Sequence, residues 1–243
     1  MSQKTIIISL LIMVIFLSLL VKLTKSSAIY CEKSAIYGDI EVCLPEIEGR
    51  TECYAEFKEG LDELEMDMNT IIAFYITDST YLKLKDQPED EMLWFDDYFQ
   101  VFGTKEARGM KVSKEFIDEG KSFLSNNYDK IFETIPYDQI NEKINSLTMD
   151  SVNIGVPVLL QEYQLNDYSF CFVLFSRLQL LLEEKELITY MNGLIVQDRF
   201  IFSGYYKYFT DIHSIEEGKA ENDKFVQLLM EENGYKSKEK RGN

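Results

Sequence analysis

This sequence predicts an α+β fold: an antiparallel β-sheet packed against a central helix and a C-terminal helix, preceded by an N-terminal hydrophobic helix. Three observations carry that expectation. A block of β-rich runs between Val156 and Phe202 is punctuated by tight polar turns, the apolar period becomes helical after Ser113, and Thr5 to Val21 is a run of seventeen residues without a charge.

The N-terminal run comes first. At the rise of an α-helix it is roughly 25 Å long, slightly short of a hydrocarbon core of about 30 Å. Met1 to Lys4 precede it, Lys22 and Lys25 follow, and Ser26-Ser27-Ala28 offers small residues to a signal peptidase. Residues 1–28 therefore read as a transmembrane anchor or a signal peptide cleaved near Ala28. The length of the run and its two following lysines favour the anchor. Either way, residues 29–235 are expected as one α+β domain outside the cytoplasm, with 236–243 a frayed basic tail.

The chain carries 25 Lys and Arg against 42 Asp and Glu, a formal charge of −17. Such acidity repels nucleic acid and anionic head groups. Four cysteines, Cys31, Cys43, Cys53 and Cys171, allow three complete pairings in an oxidising compartment. A hairpin centred near Glu48 would place Cys43 opposite Cys53, so that bridge is the one expected. Cys171, inside Tyr168 to Leu174, reads as a small buried hydrophobe.

Within the domain, Ile40 to Leu44, Arg50 to Ala55, Thr70 to Thr77 and Met92 to Phe102 read as strands. The acidic stretch Glu56 to Asp67 has no assigned place, and Lys85 to Glu91, with Pro88, reads as an exposed loop. Ser113 is the expected N-cap of the central helix, with Val112 and Ile117 placed as a hydrophobic staple. Ile117, Leu124, Tyr128, Ile131 and Ile135 then supply an apolar face, and Pro136 ends or kinks the helix before a shorter turn through Ile140 and Ile144.

Val156 to Gln164 and Tyr168 to Leu178 form one expected hairpin around Asn166-Asp167. Leu187 to Met191 and Leu194 to Phe202 form a second, around Asn192-Gly193, the pair a type I′ turn prefers. Tyr168 to Phe175 is apolar on both alternating faces, which places it centrally with cover on each side. Ser214-Ile215-Glu216-Glu217 reads as a capping box opening the last helix, which stops near Gly234.

The element order, the leading strand ending in Leu44-Pro45, the phrase TYMNGLIVQDRFIF and the aromatic YYKYF before the terminal helix together resemble the PsbP-like α+β fold. The likeness spans residues 38 to 233. It implies a fold shared by photosystem accessory proteins and many exported proteins, and no particular activity.

The chemistry is sparse. His213 is the one histidine, which excludes a three-histidine metal site and an H-E-x-x-H protease. Phosphate-binding glycine loops are absent from the sequence, and no cofactor is expected. Among adjacent carboxylates, Asp96 and Asp97 point to opposite faces of a strand, while Glu183-Glu184 and Glu216-Glu217 fit a turn and a helix start. Asp86, Glu89, Asp90 and Glu91 lack the spacing of a calcium loop. Catalytic and metal residues are accordingly none. The candidate binding residues are Arg199, which needs a partner if buried, and the aromatics Tyr205, Tyr206 and Tyr208.

The expected function is a non-enzymatic, membrane-tethered or exported binding domain. Its partners are the membrane, through Thr5 to Val21, and another envelope protein. A small-molecule or lipid carrier with its pocket between sheet and helix is the alternative, and a carboxylate-based hydrolase a distant one.

Overall fold

A strand that is apolar on both faces needs cover above and below, and Ser169–Leu180 (β8) receives it. The computed structural model describes residues 31–64, 68–86, 97–135, 137–148, 152–180 and 183–235. All elements below belong to one compact unit within Glu32–Asn243.

Ser34–Tyr37 (β1) and Ile40–Cys43 (β2) form a separate hairpin. The main sheet has eight strands: Arg50–Glu52 (β3), Asn69–Thr77 (β4), Asp97–Thr104 (β5), Val152–Ile154 (β6), Val158–Asn166 (β7), β8, Glu183–Val196 (β9) and Arg199–Tyr208 (β10). They run antiparallel in the order β3-β4-β5-β10-β9-β8-β6, with β7 also paired to β8. The helices among the described residues are Lys58–Leu64 (α1), Asp78–Asp86 (α2), Glu115–Thr134 (α3), Tyr137–Thr148 (α4) and Ile212–Glu232 (α5).

Alternation along the strands sorts the core into two layers. Cys171 and Val173 face one side, where Phe225, Val226 and Leu229 of α5 pack with the β1–β2 hairpin. Phe225 stacks on Phe99 at 4.4 Å and meets Tyr75 edge-on at 5.4 Å. Phe170, Phe172 and Leu174 face the other side, against the fully buried Ile117 of α3. Burial of that isoleucine contributes about 2 kcal/mol. The central and terminal helices therefore lie on opposite faces of the sheet. Beyond α3, Phe74 and Ile76 pack with Leu61 of α1 and Tyr81 of α2.

Several details differ from the sequence reading, each for a physical reason. Asn192-Gly193 is not a turn: β9 runs through it, and the hairpin closes one turn later at Gln197-Asp198, whose φ values of 47° and 60° are those of a type I′ turn. Asn192 is instead a buried strand residue bonded to α5. A Cβ on Gly193 would lie 2.4 Å from the Phe170 ring, so its glycine serves packing. The last helix opens at Asp211, whose Oδ1 accepts from the backbone N–H groups of His213 and Ser214, three residues before the expected cap. Ser214 is buried, and its hydroxyl donates to the Asp211 carbonyl.

Ser113 does not cap α3. Lys114 holds that position, and the Ser113 hydroxyl donates to Glu115. Val112 and Ile117 nevertheless share one cluster, as a staple requires. Ile135, which precedes Pro136, is extended, and α3 ends there. Part of the stretch Glu56 to Asp67 forms α1, while Lys85 and Asp86 belong to α2 rather than to a loop. Met92 to Asp96, Glu89 to Glu91 and the tail 236–243 lie outside the described residues. So does Thr5 to Val21; among the described residues no helix is long and apolar enough to cross a membrane.

Near Gly234, at φ +88°, α5 stops as expected: Gly234 N–H donates to Glu231 and Tyr235 N–H to Met230. Strand β7 is an edge strand whose register on β8 shifts twice, between Leu159 and Gln161 and between Gln164 and Asn166. Its Val158 and Leu160 are exposed.

Candidate functional site

The cysteines pair differently from the sequence expectation. Cys31 and Cys43 are disulfide-bonded, while Cys53 and Cys171 are buried free thiols. Cys53 is committed to the opposite side of the sheet, with its thiol donating to the Phe74 carbonyl, so it cannot meet Cys43 across a hairpin. Asn233, at the end of α5, accepts from Cys43 N–H and donates to Cys43 C=O, tying the disulfide-bonded strand to that helix. Burial pushes both free thiols up to about 12, which keeps them protonated and weakly nucleophilic.

Arg199 is 3% exposed and finds its partner in Asp39, at the turn of the β1–β2 hairpin. Its Nη2 donates to both Asp39 oxygens at 2.7 and 2.8 Å and its Nε to one at 3.1 Å, while Nη1 donates to the Asp198 carbonyl. The Arg199 guanidinium holds the Asp39 carboxyl below its ordinary range. Asp198 itself sits in the β9–β10 turn. Arg199 is thus a latch between hairpin and sheet.

The aromatic run Tyr205, Tyr206 and Tyr208 splits across the sheet. Tyr205 points toward α5 and is fully buried. Tyr206 is half-buried, stacks on Tyr98 at 4.5 Å and covers Gly204, where a Cβ would lie 2.6 Å from its ring. Tyr208 carries the Lys185 ammonium over its ring at 4.9 Å. Each of the three rings thus packs on a neighbour within the domain.

Tyr205 leads instead to a charged cluster among the described residues that the sequence did not signal. Arg50 from β3 donates to Asp97 of β5 at 2.6 Å, to Glu221 of α5 at 3.0 Å and to the Tyr205 hydroxyl at 3.3 Å. Its guanidinium lies 4.6 Å from the centre of the Phe99 ring. The Tyr205 hydroxyl donates to Glu221 at 2.6 Å, and Lys207 stands 3.6 Å from the same carboxylate. Side-chain exposure is 8% for Arg50, 26% for Asp97 and 43% for Glu221. Burial and the neighbouring carboxylates raise Tyr205. Burial alone would raise Glu221, but Tyr205, Lys207 and Arg50 outweigh it and hold Glu221 low. Each shift reinforces the form already present at neutral pH, so the cluster fixes charge and does not exchange protons there.

A second polar network lies under α5. Tyr163 donates to Asp223 at 2.7 Å, Asn222 bonds to the Tyr163 hydroxyl and to Asn192, and Lys219 pairs with Asp223 while lying 3.9 Å from the centre of the Tyr163 ring. Burial raises Tyr163 strongly. His213 is exposed, with its backbone committed to the Asp211 cap. Among the described residues no group of three His, Cys, Asp or Glu side chains is arranged to hold a metal.

Two open clefts flank the β1–β2 hairpin. One, of about 410 Å³, is lined by Lys33, Glu46, Glu48, Arg50, Glu52 and Tyr75 among others. The other, of about 630 Å³, lies between the hairpin tip and the loop after β5, with Ile36, Tyr37, Thr70 and Arg108 in its walls.

These features define an acidic α+β domain with a disulfide-bonded N-terminal hairpin, apolar layers on both faces of its sheet and clefts beside that hairpin. Comparison with protein-family models, with curated proteins and with solved structures finds no match to this chain.

Proposed function

We propose that this protein is a membrane-tethered or exported binding domain that acts without catalysis, as an accessory to another envelope protein. The observation that carries the reading is the Cys31–Cys43 disulfide, which follows the apolar Thr5 to Val21 by ten residues or so of chain. Structural disulfides belong to oxidising compartments, and a disulfide placed directly after an apolar leader suits a domain delivered across a membrane. The polar clusters add support, because their pKa shifts favour fixed charge over proton transfer. A carrier with its pocket between sheet and helix has less support, since Phe99, Tyr205 and Phe225 fill the space beneath α5.

Cross-linking in intact cells followed by co-purification from membranes tests the proposal. A stoichiometric envelope partner is the expected result, and recovery of the protein alone would count against it. Intact-mass measurement of the mature chain separates an anchor from a signal cleaved near Ala28.

A further inference from the structure

We propose that the cleft at the tip of the β1–β2 hairpin binds a small anion with an apolar body, an organic carboxylate or phosphate ester, and that Arg108 receives its charged head. The site is independent of how the chain is tethered.

Its walls are fixed to one another. Gly38, at φ +64°, brings the hairpin tip so close to the loop after β5 that a Cβ there would lie 2.2 Å from the Arg108 carbonyl oxygen. On the same wall the Tyr37 hydroxyl donates to the Thr104 carbonyl at 2.8 Å. The cleft is therefore pre-formed, at about 630 Å³, in the range of small-molecule sites.

Its chemistry points to an anion. The chain has 42 acidic residues against 25 basic ones, so an exposed arginine has many carboxylates available. Arg108 nonetheless makes no side-chain hydrogen bond or ion pair among the described residues. The surrounding segment Lys105 to Lys114 carries Lys105, Arg108, Lys111 and Lys114 against Glu106 alone, all exposed. Asp39 also lines the cleft, but its carboxylate is held by Arg199. A local positive field thus sits in an acidic protein. A guanidinium whose donors meet no acceptor among the described residues is suited to bidentate capture of a carboxylate or phosphate.

The apolar component comes from Ile36, which is 69% exposed at the cleft wall, with Tyr37 beside it. Thr70, a residue with a hydroxyl, also lines the cleft. Head and body of the ligand therefore have separate places.

Fluorine NMR on the full chain in zwitterionic lipid discs tests this, with 4-fluorobenzoate and 4-fluorophenyl phosphate as anionic probes and 4-fluorobenzyl alcohol as the neutral one. Saturable binding of the anions is expected, with the neutral probe weaker by about tenfold or more. Arg108→Gln should weaken the anions by a similar factor and leave the thermal melt unchanged, because among the described residues the side chain makes no hydrogen bond or ion pair to lose. Ile36→Ser should weaken both classes of probe several-fold. Equal binding of neutral and anionic probes, or full binding by Arg108→Gln, would overturn the proposal. Competition by phosphatidylglycerol placed in the discs would identify a lipid head group as the source of the anion, and its failure to compete a free small molecule.

Discussion

Replacing Asp97 with Asn should destabilise the domain more than replacing Arg50 with Met, although each removes the same ion pair. In Asp97→Asn the guanidinium stays buried and keeps Glu221, the Tyr205 hydroxyl and the Phe99 face, but it loses its shortest charged bond, at 2.6 Å. One such bond is worth about 2 kcal/mol. A fully orphaned buried charge would cost about 3–5 kcal/mol, and Glu221 keeps the loss below that range. In Arg50→Met the carboxylates left behind are both reached by water, and an apolar chain replaces the guanidinium on Phe99. That variant should lose about 1 kcal/mol. The double variant has neither the buried cation nor the unpaired carboxylate at 97, so it should also lose about 1 kcal/mol, giving a coupling of about 2 kcal/mol. Urea denaturation of the four proteins measures this cycle, and the Asp97→Asn melting temperature should fall by roughly 6 °C. A double variant that loses the sum of the single effects would refute the reasoning, as would an Asp97→Asn variant as stable as the parent.

Other consequences are equally direct. Peptide mapping without reductant should join Cys31 to Cys43, and Cys31→Ser should cost about 3 kcal/mol by loop entropy; a Cys43–Cys53 peptide would refute the pairing. Gly193→Ala should lose about 2–3 kcal/mol in thermal unfolding, because its Cβ meets the Phe170 and Phe200 rings at 2.4 and 2.8 Å. Asp198→Gly should gain about 0.5 kcal/mol by relieving a φ of 60°, and a loss there would place the hairpin turn elsewhere. The buried Cys53 and Cys171 thiols, at about 12, titrate above their ordinary value of 9. Their contribution to stability is complete below pH 9 and is lost as pH rises toward 12, so the urea midpoint should fall on the alkaline side. A midpoint constant from pH 8 to 11 would contradict that burial.

Local signals were legible wherever local chemistry decides the outcome. The alternation in β8, the helical period of α3 and the glycine stop of α5 are each set by neighbours within a few residues. Asn192-Gly193 misled because its role is tertiary: the Asn192 amide is bonded to Asn222, thirty positions away, and the glycine yields to Phe170. Gln197-Asp198, with weaker turn chemistry, closes the hairpin by default. Likewise, Asp211 and Ser214 are both acceptable caps, and the burial of Ser214 decides between them. The charged cluster was illegible for the same reason, since Arg50 meets Asp97 and Glu221 across 47 and 171 positions. The sequence marks Arg199 as a charge needing a partner, but only the hairpin turn supplies Asp39.

The two register shifts in β7 bear on what this protein does at high concentration. A nine-residue edge strand with exposed Val158 and Leu160 is a template on which further chains can assemble into a continuous intermolecular ladder. Each shift interrupts the regular spacing of donors and acceptors, so an incoming strand would find its hydrogen bonds out of step after a few residues. The irregularity of β7 thereby works against continuous strand addition at an edge whose exposed apolar side chains would otherwise favour it.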